Sequence, residues 1–135
     1  MRAGAALALL LLAGCGLEGS PIMEPGRDCL HCHGGGEAMR WTVAGTAYPA
    51  ADSAAGAGVL GATVRVRDAT GWSFGLRTNA AGNFYSAEKV AFPIQVCVDH
   101  RGASSCMSDA VTYGGCNSCH AARGSGGEAG RITVP

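Results

Sequence analysis

The segment Ala62-Thr63-Val64-Arg65-Val66-Arg67 decides the fold, because apolar side chains alternate along it with polar ones. A period of two is typical of a β-strand with one buried face. The same alternation returns in three further stretches, at residues 41–48, 72–77 and 94–99. Turn residues separate these stretches, and no helix-period apolar pattern follows residue 15. The sequence therefore predicts a mainly β chain, folded as a small Ig-like β-sandwich with irregular flanking segments.

The last predicted strand leads into a hairpin that carries two cysteines. If Arg101 and Gly102 form a two-residue turn, Cys97 lies opposite Cys106 at a non-hydrogen-bonded position, where Cα atoms are about 4.5 Å apart. That separation is at the lower edge of disulfide geometry. We therefore expect a structural disulfide. A redox-active dithiol is the alternative, although neither cysteine has a CxxC partner.

The first fourteen residues are typical of an export signal. Arg2 is followed by an apolar run from Ala5 to Ala13, which is too short to span a bilayer. The run ends in Leu12-Ala13-Gly14-Cys15, which resembles the lipobox of bacterial lipoproteins. The resemblance implies cleavage before Cys15 and lipidation of its thiol, so that acyl chains anchor the mature protein to a membrane. An ordinary secretory signal with an incidental cysteine is the alternative.

Charge and length limit the remaining function classes. Ten basic and ten acidic residues balance and are scattered, so no nucleic-acid partner is indicated. Removal of the signal leaves enough chain for one compact domain. We divide the chain into a signal peptide (1–14), a tether (15–28), a first CxxCH segment (29–40), a β-sandwich (41–108) and a second CxxCH segment (109–135), in which residues 131–134 can add a closing strand.

Parts of the predicted sandwich resemble a known family. The stretches Val43-Ala44-Gly45-Thr46, Gly61-Ala62-Thr63-Val64-Arg65-Val66 and Thr78-Asn79-Ala80-Ala81-Gly82-Asn83-Phe84 look like the carboxypeptidase regulatory-like domain. The resemblance implies a transthyretin-like β-sandwich and supplies no catalytic residues. Such domains serve as spacers, stability modules or binding platforms, so the resemblance concerns the fold and leaves function open.

Two CxxCH motifs carry the chemistry: Cys29-Leu30-His31-Cys32-His33 and Cys116-Asn117-Ser118-Cys119-His120. A c-type haem needs two thiols spaced to reach two vinyl groups on one porphyrin edge, and an imidazole that meets the iron. CxxCH supplies both, and two copies in an exported chain strongly favour two covalently attached haems c.

Neither motif is embedded in a segment long enough for the helical wrap of a monohaem cytochrome c. The chain instead resembles short multihaem cytochromes, which implies thioether bonds at all four motif cysteines and iron ligation by His33 and His120. The resemblance does not supply the ligands on the opposite faces. His31 and His100 are the two remaining histidines and candidate ligands, since bis-histidine ligation of both haems would use all four. The methionines at positions 23, 39 and 107 are rival ligands, and methionine would raise the reduction potential relative to histidine.

Two alternatives to haem stay open for the motifs. The four cysteines at positions 29, 32, 116 and 119 could form one zinc site, since paired CxxC knuckles suit tetrahedral zinc. That arrangement would leave both following histidines unexplained and better suits a reducing compartment. Each CxxC could also form a local disulfide or a redox pair, although the βαβ context of thioredoxin-like motifs is missing.

The sequence thus predicts a dihaem lipoprotein that transfers electrons in the bacterial cell envelope, on the outer membrane or cell surface. Redox proteins are the expected partners, and packing between haems could produce a homo-oligomer. No nucleophile–base or carboxylate pair suggests an enzyme, although haem-based redox activity beyond electron transfer is left open. The alternative is a haem-free surface lipoprotein whose sandwich binds a partner or glycan.

Overall fold

The alternating segments form two β-sheets in the computed structural model, which describes residues 19–36, 38–122 and 130–135. The proposed signal peptide and the lipidation site at Cys15 lie outside these residues. In the described part of the chain, no helix is both long enough and apolar enough to cross a bilayer.

Seven strands and two single-turn helices make up the fold. The strands are β1 (Val43–Tyr48), β2 (Thr63–Arg67), β3 (Ser73–Arg77), β4 (Asn83–Ser86), β5 (Gln95–His100), β6 (Ala103–Cys106) and β7 (Ile132–Thr133). The helices are α1 (Leu30–His33) and α2 (Cys116–Cys119). One sheet has the order β4-β1-β7 and the other has the order β3-β2-β5-β6. The chain is mainly β, as predicted, and the two sheets form a sandwich.

The core consists of apolar side chains from both sheets. In β2, Val64 and Val66 are fully buried while Arg65 and Arg67 are exposed, so the predicted alternation is confirmed. The other core members come from neighbouring strands and loops: Val43, Ala62, Phe84, Ile94, Val96 and Val98. Burial of these side chains on one face of each sheet is what holds the sheets together.

The β5–β6 hairpin has the predicted register. His100 pairs with Ala103 and Cys97 pairs with Cys106. Arg101 and Gly102 both have positive φ, 49° and 86°, as a turn whose twist matches the flanking strands requires. The disulfide between Cys97 and Cys106 is present, with a Cα–Cα distance of 4.0 Å.

Strand β1 departs from the expected alternation, because all six of its residues are buried. The residues before α1 cover the second face of β1: the Gly26 N–H donates to Thr46 Oγ1 at 2.9 Å. Strand β7, within residues 131–134, pairs in parallel with the end of β1. Because β1 lies between β4 and β7 and is covered on both faces, it is the strand against which the flanking segments pack.

Candidate haem-attachment sites

The first CxxCH motif forms a single helical turn. The His33 N–H donates to the Cys29 carbonyl at 2.9 Å, which closes the turn over the three intervening residues. As a result Cys29, Cys32 and His33 line the same small cavity, of about 40 Å³. The sequence predicts an irregular segment here, because one turn is too short to produce a detectable helical period.

The ring of His33 belongs to a column of three stacked rings. It stacks on Trp41 with a centroid distance of 3.7 Å and an interplanar angle of 11°. Trp41 stacks in turn on Tyr85 of β4 at 4.2 Å and 10°. This column holds the imidazole plane against the sheet.

The second motif repeats this local geometry. Helix α2 begins at Cys116, and the His120 N–H donates to the Cys116 carbonyl at 3.0 Å. Cys116, Cys119 and His120 line one cavity of about 330 Å³. Cys116 and His120 also line an adjoining cavity of about 300 Å³, which extends between the sheets to Val64 and Phe84.

In both motif histidines, the ring nitrogen Nδ1 forms a hydrogen bond with a backbone carbonyl. Nδ1 of His33 lies 2.7 Å from the Met39 carbonyl oxygen, and Nδ1 of His120 lies 3.0 Å from the Gly130 carbonyl oxygen. A carbonyl oxygen can only accept, so each Nδ1 must carry the hydrogen. In the neutral ring this leaves the lone pair on Nε2, which is the state in which a histidine ligates a metal through that atom.

A buried asparagine within the second motif joins it to the first. Asn117 is 4% exposed, and its Nδ2 donates to the Arg27 carbonyl at 2.8 Å and to Thr46 Oγ1 at 3.1 Å. Its Oδ1 accepts from the Thr46 N–H at 3.1 Å. Thr46 Oγ1 also donates to Asn83 Oδ1, and Asn83 Nδ2 donates to the Met23 carbonyl. Strand β1 is therefore the common support of both motif segments.

Side chains beside the motifs make a second link. The Tyr113 hydroxyl donates to Asp28 Oδ2 at 3.4 Å, while Asp28 Oδ1 accepts from the Leu30 N–H at 3.1 Å. Gly115 packs closely against the same carboxylate, because a Cβ there would lie 2.7 Å from Asp28 Oδ1. The loop before α2 and the loop before α1 are therefore in direct contact.

Two glycines allow the second motif to approach β1. A Cβ on Gly45 would lie 2.9 Å from the Cβ of Cys116 and 2.6 Å from the ring of Phe84. A Cβ on Gly114 would lie 1.9 Å from the carbonyl oxygen of Thr42. Neither space admits a larger residue without backbone movement.

The motif cysteines differ in environment. Burial raises the pKa of the Cys116 thiol to about 12, with a smaller contribution from Cys29. Burial, and secondarily the Asp28 carboxylate, raises the pKa of the Cys29 thiol to about 11. Cys119 is exposed, and Cys32 is disulfide-bonded. Cys29 and Cys116 are therefore protonated at neutral pH in the folded chain.

The two remaining histidines lie apart from the larger cavities. His31 is exposed on α1 and lines a surface depression with Cys32 and Glu24. His100 is half-buried at the end of β5 and lines neither cavity that contains His120. Within residues 19–36, 38–122 and 130–135, no three His, Cys, Asp or Glu side chains converge as a metal-ligand group.

Sequence reasoning missed the polar contacts that bring the motifs together. Asn117 occupies a spacer position of CxxCH, and Thr46 and Asn83 are isolated polar residues in predicted strands. Comparison with known proteins adds no independent assignment, because no family model, no curated protein and no solved structure matches this chain.

Proposed function

We propose that this protein is an extracytoplasmic electron-transfer protein that carries two covalent haems c, one at each CxxCH motif. The haems supply the one-electron redox chemistry, and the chain binds and orients them. The observation that carries the proposal is the matching state of His33 and His120. Each ring is fixed through Nδ1 by a backbone carbonyl, each leaves Nε2 for iron, and each shares a cavity with both cysteines of its own motif.

The residues present fit haem attachment unequally at the two motifs. The cavities beside His120 have about 300 and 330 Å³, within the usual range of ligand pockets. The cavity beside His33 has only about 40 Å³, and Pro21, Met23 and Arg27 line it. Loading of the first motif therefore requires Pro21 and Met23 to move outward.

The contacts between the motifs favour electron transfer between the two haems. Asn117 binds the carbonyl of Arg27, two residues before the first motif, and Tyr113 binds Asp28. These bonds hold the two attachment segments against each other. Haems attached there would lie on neighbouring parts of one rigid sandwich, which fixes the distance an electron must cross.

Lipidation of Cys15 remains part of the proposal. An acylated Cys15 would anchor the protein in the bacterial cell envelope, on the outer membrane or cell surface, where redox proteins donate and accept electrons. Packing of haem faces between copies would give a homo-oligomer. No catalytic residues are assigned.

Motif-specific variants test the proposal. Chains coexpressed with a cytochrome c maturation system are analysed by intact mass and by the pyridine haemochrome spectrum. We expect the double variant Cys116→Ala/Cys119→Ala to lose one haem and Cys29→Ala/Cys32→Ala to lose the other. The matched control Cys97→Ser/Cys106→Ser removes two cysteines outside the motifs and should keep both haems. Chains without haem in every variant and in the parent would contradict the proposal.

A second candidate function is favoured by the small cavity at the first motif, about 40 Å³, which leaves no room for a haem in the present arrangement. In a haem-free surface lipoprotein the motif cysteines would be structural, and the sandwich would bind a partner or glycan. This candidate predicts a colourless protein after export with maturation factors. It also predicts that reduction of the disulfides destabilises the fold.

A further inference from the structure

We propose that Met107 supplies the sixth iron ligand of the haem at the second motif, an inference that rests on the proposed function. Neither His31 nor His100 lines the two cavities described beside His120, whereas Met107 lines both of them. The coordination at this haem would then be histidine on one face and methionine on the other.

The backbone fixes the position of Met107. It directly follows Cys106, the last residue of β6, and its N–H donates to the Val96 carbonyl at 3.0 Å. Its own carbonyl accepts from Gln95 Nε2 at 2.5 Å. Met107 therefore continues the β5–β6 pairing on the far side of the disulfide and is held at the edge of the sheet.

The surroundings of Met107 suit a neutral, soft ligand. Its side chain is half-buried and packs against the core. Val96 lines both cavities, and the cavity that reaches between the sheets is lined by Val98 and Phe84 and also by Arg131. A neutral thioether adds no charge beside the Arg131 guanidinium and the apolar side chains, so placing it there costs little desolvation. Methionine opposite histidine is also an established haem-iron ligand pair that raises the reduction potential.

The competing ligands are less well placed. His100 is four residues beyond Val96 on β5, about 13 Å along the strand. Among the described methionines, Met39 is 73% exposed and Met23 lines the cavity of the first motif. Within the described part of the chain, Met107 is thus the methionine that shares cavities with His120.

Substitution of Met107 by leucine tests the assignment in the haem-loaded full-length protein. Leucine preserves volume and apolar packing, so the fold should be kept at a cost below about 1.5 kcal/mol. We expect Met107→Leu to lose the long-wavelength charge-transfer band of a methionine–iron bond in the oxidised spectrum. After reduction, carbon monoxide should bind at one additional haem per chain. Met107→His, which restores a ligand, should abolish that extra binding and lower the midpoint potential of the same haem.

Matched variants separate this inference from the proposed function. His100→Ala should leave the band and the carbon monoxide stoichiometry unchanged, because His100 lines neither of the two cavities described beside His120. A loaded Met107→Leu variant with an unaltered spectrum would overturn the ligand assignment while leaving the dihaem proposal intact. Absence of haem from the second motif of the parent protein would overturn both.

Discussion

At the scale of single residues, Asn117 is the side chain on which the contact between the motifs most depends. It is buried and makes three hydrogen bonds, to the backbone of Arg27 and to two atoms of Thr46. Truncation would leave buried partners unsatisfied, which costs about 1–3 kcal/mol per group. Asn117→Ala should therefore lower the free energy of unfolding by at least about 1–3 kcal/mol, measured by urea denaturation.

The adjacent Ser118 provides the control for this prediction. Its hydroxyl donates to the Gly115 carbonyl, a contact within the same loop. Ser118→Ala should cost less than Asn117→Ala, because no link to the first segment is lost. Equal stabilities of the two variants would show that the Asn117 bridge contributes nothing to the fold.

The raised thiol pKa values predict an order of chemical modification in the haem-free folded chain. With a pKa of about 12 for Cys116 and about 11 for Cys29, their thiolate fractions at pH 8 are about 10⁻⁴ and 10⁻³. Iodoacetamide reacts with thiolates, so exposed Cys119 should be alkylated first. Mass mapping after a short pulse measures the order.

The pH dependence of the alkylation rate tests whether the pKa values of Cys29 and Cys116 are raised. Because the raised pKa values keep Cys29 and Cys116 protonated, their alkylation rates should rise about tenfold per pH unit above pH 8. The rise should continue to about pH 11 for Cys29 and to about pH 12 for Cys116 if the fold persists. A plateau near pH 9 would mean that burial does not raise their pKa values.

At the scale of elements, the β5–β6 hairpin should contribute stability through its disulfide. The bond joins residues nine positions apart. A loop of this length gives about 2–3 kcal/mol by restriction of the unfolded chain. Cys97→Ser/Cys106→Ser should lower the free energy of unfolding by that amount, measured in guanidinium without reductant. If reductant lowers the stability of the parent and the variant equally, the assigned disulfide is not the stabilising one.

The loop that carries the second motif depends on Gly114. Its missing side chain lets the Gly114 carbonyl accept from the Ala44 N–H at 2.9 Å beside the Thr42 carbonyl. Gly114→Ala should displace this loop from β1 and cost about 1–3 kcal/mol, as overpacking does in cores. Calorimetric melting should show a clear loss for this variant. The control Gly56→Ala, where a Cβ meets nothing within 4 Å, should melt near the parent temperature.

Local rules account for the elements that the sequence predicted. The alternation in 62–67 and the turn at Arg101-Gly102 involve neighbouring residues, and together they determine strand β2, the hairpin register and the Cys97–Cys106 pair. Trp72, the first residue of the alternating stretch 72–77, departs from the pattern, because it is 44% exposed and tilts against Phe74. At the end of a strand, an apolar side chain that follows the alternation need not be covered by another element of the fold.

At the scale of the whole molecule, the spatial relation of the two motifs was beyond sequence reasoning. Their first cysteines, Cys29 and Cys116, are 87 positions apart, and only the folded sandwich brings their segments together. The contacts responsible, Asn117 to Arg27 and Tyr113 to Asp28, are single side-chain bonds without periodicity. The complete burial of β1 has the same cause, since distant segments cover both its faces.

The assembled molecule combines a β-sandwich with two histidines whose Nδ1 atoms are each held by a backbone carbonyl. The stacked ring of Trp41 and the carbonyl of Met39 hold His33, and the carbonyl of Gly130 holds His120. Such fixation is what a protein contributes to an electron-transfer cofactor, because it limits rearrangement when the charge on iron changes.

The most direct test of this account is the haem content of the parent protein. The full-length chain is coexpressed with a cytochrome c maturation system and exported. The number of haems per chain is then determined from the intact mass and the pyridine haemochrome spectrum. We predict two covalently bound haems per chain, retained after denaturation. A correctly exported chain that carries no covalent haem would contradict the account and leave the motif cysteines with a purely structural role.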